Sequence, residues 1–181
     1  MTTSRRESQW VLRAQCGDRD ALERLLRSIQ PALQRYLRGL VGARQSDDVL
    51  QDVLIVVARK LAWLEEPDLL RPWAFRIASR AGFKQLKRER RWRADDSGLE
   101  DIAAPEPSAP SDLLRELATM DGISPASRAV LVLHFQEEMS LEAVAAILEI
   151  PLGTVKSRLA YGLNALRKQV GHNRRHNGAN S

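Results

Sequence analysis

The sequence lacks most of what would send a chain out of the cell or into a membrane. Cys16 is the only cysteine among 181 residues, so no disulfide can form within the chain and a reducing compartment is expected. No apolar run approaches the ~20 residues of a membrane span. The polar start MTTSRRESQ does not read as a signal peptide. A cytoplasmic protein without membrane insertion is therefore the expectation. Aromatic residues make up only 5%, while Leu, Ala, Arg and Glu abound, a balance that favours helices over sheets. Histidines are few. His134 lies in an apolar stretch, and His172 and His176 share the tail GHNRRHNGANS, whose composition reads as disordered. No catalytic residue, metal or cofactor is expected.

What the chain does have is charge, unevenly placed around a net of +5, a bias towards acidic partners such as nucleic acid. From Arg71 to Arg93, Arg71, Arg76, Arg80, Lys84, Lys87, Arg88, Arg90, Arg91 and Arg93 face Glu89 alone. From Ala94 to Asp121 the balance reverses, and APEPSAPSD brings Pro105, Pro107 and Pro110. An acidic, proline-rich stretch poor in large apolar residues is a linker, placed at 95–115. The predicted fold is all-α, with small helical domains at 1–94 and 116–172 and a disordered tail at 173–181.

In the first domain, Gly17 and Asp18 read as a stop and a new cap. Ala21, Leu22, Leu25, Leu26 and Ile29 recur at helical spacing, and Pro31 marks a break or a new start. In SDDVLQDVLIVVARKLAWL, Ser46 or Asp47 can cap a helix whose apolar face carries Val49, Leu50, Val53, Leu54, Val57 and Leu61. Asp48 and Asp52 lie four apart and share one side, an acidic face that suits a basic partner. EEPDLL interrupts the pattern, and Pro72 stands as the first residue of the next helix. There Phe75, Ala78, Gly82 and Leu86 line one side, and Arg76, Arg80, Lys84, Lys87 and Arg91 run opposite, with Trp73 and Ile77 among them. Such a stripe can be a merely solvated face. Cations mixed with aromatics are also what melting DNA demands, through phosphate attraction and base stacking.

In the second domain, Ser124-Pro125 is a cap with a proline behind it, and Ala129, Val130 and Leu133 begin an apolar face. Ser140 caps the next helix, with Leu141, Val144, Ala145 and Leu148 inward. A turn at Glu149-Ile150 leads into IPLGTVKSRLAY, a helix that starts with small polar and basic residues. Unpaired N–H groups and the helix dipole make such a start suit phosphates. Val155, Leu159, Gly162 and Leu166 face the partner helix, which leaves Thr154, Lys156, Ser157, Arg158 and Tyr161 for a DNA groove. This is the helix-turn-helix plan.

Four stretches, VLRAQCGDRDALERLL, SDDVLQDVLIVVARKL, RPWAFRIASRAGFKQLKRERR and SPASRAVLVLHFQEEMSLEAVAAILEIPLGTVKSRL, occur in one order across most of residues 10–168. In them the chain resembles the extracytoplasmic-function sigma factors, two-domain initiation subunits of bacterial RNA polymerase. The resemblance implies that residues 10–93 bind the promoter −10 element and the polymerase clamp helices, which Asp48 and Asp52 would face. Trp73, Arg76, Arg80, Lys84 and Lys87 would lie towards the −10 DNA. Residues 122–170 would bind the −35 element and the polymerase flap. Lys156, Ser157, Ala160 and Tyr161 match positions that meet −35 DNA, and Thr154 and Arg158 are phosphate partners. The polymerase does the chemistry, and members are usually held by an anti-sigma factor. Arg80 and Lys84 stand where the family often has Asn and Asp. Glu138 and Glu149 stand where it often has Gly, so the turn is expected to differ slightly in geometry. The competing reading is a two-domain helix-turn-helix regulator acting without core polymerase. It leaves the Asp48/Asp52 helix and the basic helix unexplained.

Overall fold

The structure, a computed structural model, describes residues 4–95 and 123–177, with side chains through Arg91 and Lys168. Among the described residues every regular element is helical. Two compact units form, one from the elements up to Asp95 and one from those after Ile123. Most of the expected linker, residues 96–115, lies outside the described residues, as do residues 116–122.

The first unit holds α1 (Arg5–Gln15), α2 (Arg19–Val41), α3 (Ala43–Lys60), single 3-10 turns at Leu61–Trp63 and Pro67–Leu69, and α4 (Leu70–Asp95). Ser4 and Glu7 form a reciprocal capping box on α1. Gly17 at φ +91 turns the chain, and Asp18 caps α2 by accepting from the Ala21 N–H.

Three expected boundaries move. Pro31 does not break α2, which runs straight through it. Its ring is exposed, while Ile29, Leu33, Tyr36 and Leu37 around it are buried. Each such burial contributes about 1.5–3 kcal/mol, so together they outweigh the ~3 kcal/mol cost of an interior proline. Helix α3 begins at Ala43, not at a Ser46 or Asp47 cap. Gly42 at φ +86 makes the turn, and Ser46 is buried inside the first turn, donating to the Ala43 carbonyl at 3.0 Å. Pro72 is the third residue of α4 rather than its first. It costs no hydrogen bond there, because the first four N–H groups of a helix have no partner.

Tyr36 and Phe75 pack edge to face at 5.5 Å and 82° in the core, and the Tyr36 hydroxyl meets Ser79 Oγ at 2.7 Å. Complete burial pushes the phenol's pKa far above its ordinary value. Gly82 lets α4 approach α2, since a Cβ there would lie 2.5 Å from Leu40 Cδ2.

In the second unit, α5 (Pro125–Leu131) is capped by Ser124 and runs into a π-helical turn, Val132–Gln136. Helix α6 (Leu141–Leu148) is capped by Ser140, and α7 (Leu152–Asn177) follows. The core includes Ala129, Val130, Leu131, Val132, Leu133, Met139, Val144, Ile147 and Val155. On α6, Ile147 is buried beside Val144, whereas Leu141, Ala145 and Leu148 are only half-buried. A two-turn helix offers one row to its neighbour, and that row is Val144–Ile147. Helix α7 continues to Asn177, five residues into the stretch expected to be a disordered tail. No proline follows Pro151, and Arg174 and Arg175 favour helix, so nothing local stops it.

Glu138 and Glu149 both adopt left-handed backbone, at φ 51 and 56. The turn therefore keeps the conformation that glycine favours and imposes it on glutamate, contrary to the shift in geometry expected for a glycine-free turn. Glu149 closes α6, its N–H donating to the Ala145 carbonyl.

A candidate nucleic-acid interface

Helix α4 carries the basic stripe, and its start is fixed by Glu7. The Glu7 carboxylate accepts from Arg71 Nε at 3.0 Å and Nη2 at 2.6 Å, from the Ser4 N–H at 2.9 Å and from the Ser28 hydroxyl at 3.0 Å. One buried carboxylate thus ties α1, α2 and α4 together. Burial pushes the Glu7 pKa up, but the Arg71 guanidinium, the Ser4 N–H and the Ser28 hydroxyl outweigh it and hold the group below its ordinary range. Arg71 is consequently a structural ion pair, not part of the open stripe. Arg80, Lys84, Lys87, Arg88 and Arg91 are exposed. Trp73, Arg76 and Ile77 are half-buried, and Arg76 Nε is enclosed without a hydrogen-bond partner among the described residues.

On α3, Asp48 and Asp52 are both exposed, as their spacing predicts. Beside them runs a groove of ≈ 440 Å³ between α2 and α3, lined by Leu26, Gln30, Leu50, Leu54, Ile55 and Ala58. Ile55 is an exposed aliphatic on its rim. Leu54, read as a core residue from periodicity, is half-buried at this groove.

Sequence reasoning missed Trp63, which is 74% exposed in the segment between α3 and α4. That segment is braced by α1: Gln15 Nε2 donates to the carbonyls of Leu61 at 2.9 Å and Leu64 at 2.8 Å, and Ser8 Oγ donates to Asp68. An aromatic residue outside any helical period was the one available signal.

In the second unit, α6, the Glu149 turn and α7 form the expected helix-turn-helix. Lys156, Ser157, Ala160 and Tyr161 are exposed on α7, and Thr154 and Arg158 are half-buried at the edge of that face. Behind them Val155 is fully buried, and Gly162 backs onto Leu131, whose Cδ1 would lie 2.7 Å from an added Cβ. Ser157 donates its hydroxyl to the Thr154 carbonyl at 3.0 Å. The Glu142 carboxyl is held below its ordinary range by its own backbone N–H, by Ser140 and by the charge of Lys156, which places that cation near the start of α6. His134 is half-buried, with Nδ1 2.8 Å from the Met139 carbonyl. Among the described residues no three His, Cys, Asp or Glu side chains gather as a metal site, and no helix is long and apolar enough to cross a membrane.

Residues 119–168 match the family model for sigma-70, region 4. The ECF RNA polymerase sigma factor SigL of Mycobacterium tuberculosis is 32% identical over 149 residues, covering 75% of this chain and 80% of that protein. The RNA polymerase sigma-H factor of Pseudomonas aeruginosa is 27% identical, covering 94% of this chain and 96% of that one. Among solved structures, the sigma factor RpoE of Bartonella quintana, crystallised with the anti-sigma factor NepR, has a TM-score of 0.71 at 25% identity. The match spans 82% of this chain and 96% of that one.

Proposed function

Because the chain belongs to the extracytoplasmic-function sigma factors, a family that serves RNA polymerase in promoter choice, we propose a division of that work between its two units. The protein is an alternative sigma factor: it binds core RNA polymerase, directs it to promoters through −35 and −10 elements and helps melt the DNA. In this reading residues 1–94 engage the clamp helices and the −10 element, and residues 116–172 engage the −35 element and the flap. Asp48 and Asp52 form the acidic rim of the polymerase-docking face, beside the apolar groove between α2 and α3. Arg76, Arg80, Lys84 and Lys87, with Trp73 among them, lie along −10 DNA. Thr154 and Arg158 hold −35 phosphates, and Lys156, Ser157, Ala160 and Tyr161 meet the −35 DNA. The protein itself catalyses no reaction, works in the cytoplasm and is held by an anti-sigma factor.

The observation that carries this reading is the face of α7. Four positions expected from the sequence to meet DNA are exposed there together, while Val155 and Gly162 anchor the opposite side. Mixing the chain with core polymerase and a promoter library tests it. New transcription start sites, absent with core alone, are the expected result; DNA binding without new start sites would favour a polymerase-independent regulator. Reversing Asp48 and Asp52 to lysine should weaken competition for core, because charged rims govern docking to a basic partner. Undiminished competition in a pull-down would remove the acidic rim from the docking face.

A further inference from the structure

We infer that Ala160 and Tyr161 form an apolar reading pair whose partner is the 5-methyl group of a thymine in the major groove, an inference that rests on the −35 role of α7. The azimuth of the helix is set from behind. Val155 is fully buried, and Gly162 leaves no room against Leu131, where a Cβ would come within 2.7 Å. At ~100° per residue these two lie on one line, with Ala160 nearly opposite and Lys156, Ser157 and Tyr161 to its sides. Rolling α7 to hide Tyr161 would drive its backbone into Leu131. The ring is therefore held in solvent, 79% exposed, with no hydrogen-bond or ring partner among the described residues. That apolar area gains nothing in the free chain.

The charges around it say what covers it. Lys156 is exposed beside the pair and Arg158 half-exposed at the edge, so the face attracts a polyanion. The apolar centre then discriminates among bases. In the major groove only thymine presents a methyl group, whereas guanine presents N7 and O6, cytosine an amino group, and adenine N7 with an amino group. Every base also presents a polar edge atom there, thymine O4 included, so what sets thymine apart is its methyl, whose burial against the Ala160 methyl and the Tyr161 ring gains apolar area that no other base offers.

The test uses the whole chain with core polymerase and a duplex library randomised across the −35 region. In the selected duplex each thymine is replaced in turn by deoxyuridine, which removes the methyl and keeps the pairing. One position should weaken wild-type binding about fourfold, the value of one buried methyl. Tyr161→Phe should keep that sensitivity, and Tyr161→Ala should lose it while circular dichroism stays unchanged. A selected sequence with no deoxyuridine-sensitive position overturns the inference. So does a Tyr161→Phe variant that loses the sensitivity, since the hydroxyl would then be the reader, or a Tyr161→Ala variant that keeps it. Absence of any selected sequence would instead remove the −35 role itself, and the inference with it.

Discussion

The two units solve the problem of helix registration differently. In the first, polar side chains far apart in sequence meet across helices: Glu7 with Arg71, Tyr36 with Ser79, Gln15 with the carbonyls of Leu61 and Leu64. In the second, hydrogen bonds join near neighbours, as Ser124 with Ser127, His134 with Met139 and Ser157 with Thr154, while the charge of Lys156 reaches Glu142 on the preceding helix. Its helices also meet by shape, through the contact of Gly162 with Leu131, as those of the first do through Gly82 and Leu40. Both units should therefore be sensitive to added volume, and the first also to loss of its buried ion pair and to acid.

The sharpest way to break the contrast is Arg71→Ala. It leaves the Glu7 carboxylate buried and uncompensated, a loss of about 3–5 kcal/mol in the first unit. Urea unfolding followed by circular dichroism should show that unit melting first; an unchanged midpoint would deny the ion pair its role. The same carboxylate fixes the acid response. Its pKa is lower in the fold than its ordinary 4.5, so its stabilisation is complete above that value and is lost as pH falls through the folded value. Glu7→Gln should flatten stability against pH in that acidic window.

Gly162→Val is the counterpart in the second unit, with an expected loss of about 1–3 kcal/mol from overpacking against Leu131. Thermal scans should show the second unit destabilised and the first untouched; destabilisation of both would mean the units are not independent. Tyr36→Phe strips one partner from Ser79 and should cost about 1 kcal/mol, measurable as a denaturant midpoint shift with an unchanged slope. The smallest effect has the opposite sign. Glu149→Gly relieves left-handed backbone that an L side chain resists by roughly 1–2 kcal/mol, less the entropy glycine adds to the unfolded chain, and should stabilise the second unit by about 1 kcal/mol. A fall in its melting temperature would show that the glutamate is not strained there.

The contrast also explains what was legible in the sequence. Apolar periodicity located the helices, and the exposed set Lys156, Ser157, Ala160 and Tyr161 follows from Val155 and Gly162 facing inward. Local signals misled where tertiary packing overrode them. Pro31 and the Ser46 and Asp47 caps are strong punctuation in isolation, yet buried neighbours around Pro31 and the left-handed Gly42 took precedence. Glu138 and Glu149 looked like departures in turn geometry, but backbone hydrogen bonding kept the turn and imposed its angles on the side chain present. Arg71 looked like one more cation in a run. Its partner lies 64 residues away, a separation no periodicity reports. Trp63 stood outside every helical pattern and so went unread.

The position of Glu7 has a practical consequence for how the chain is turned over. Its carboxylate is core, yet it sits in the first turn of α1, three residues from the Ser4 cap. Helix ends fray before helix interiors do. Here a cut after Ser8 would strand the Arg71 guanidinium and remove the Ser4 cap together. A nick there would convert a folded first unit into one that opens readily, so its resistance to proteolysis should track how well α1 stays docked.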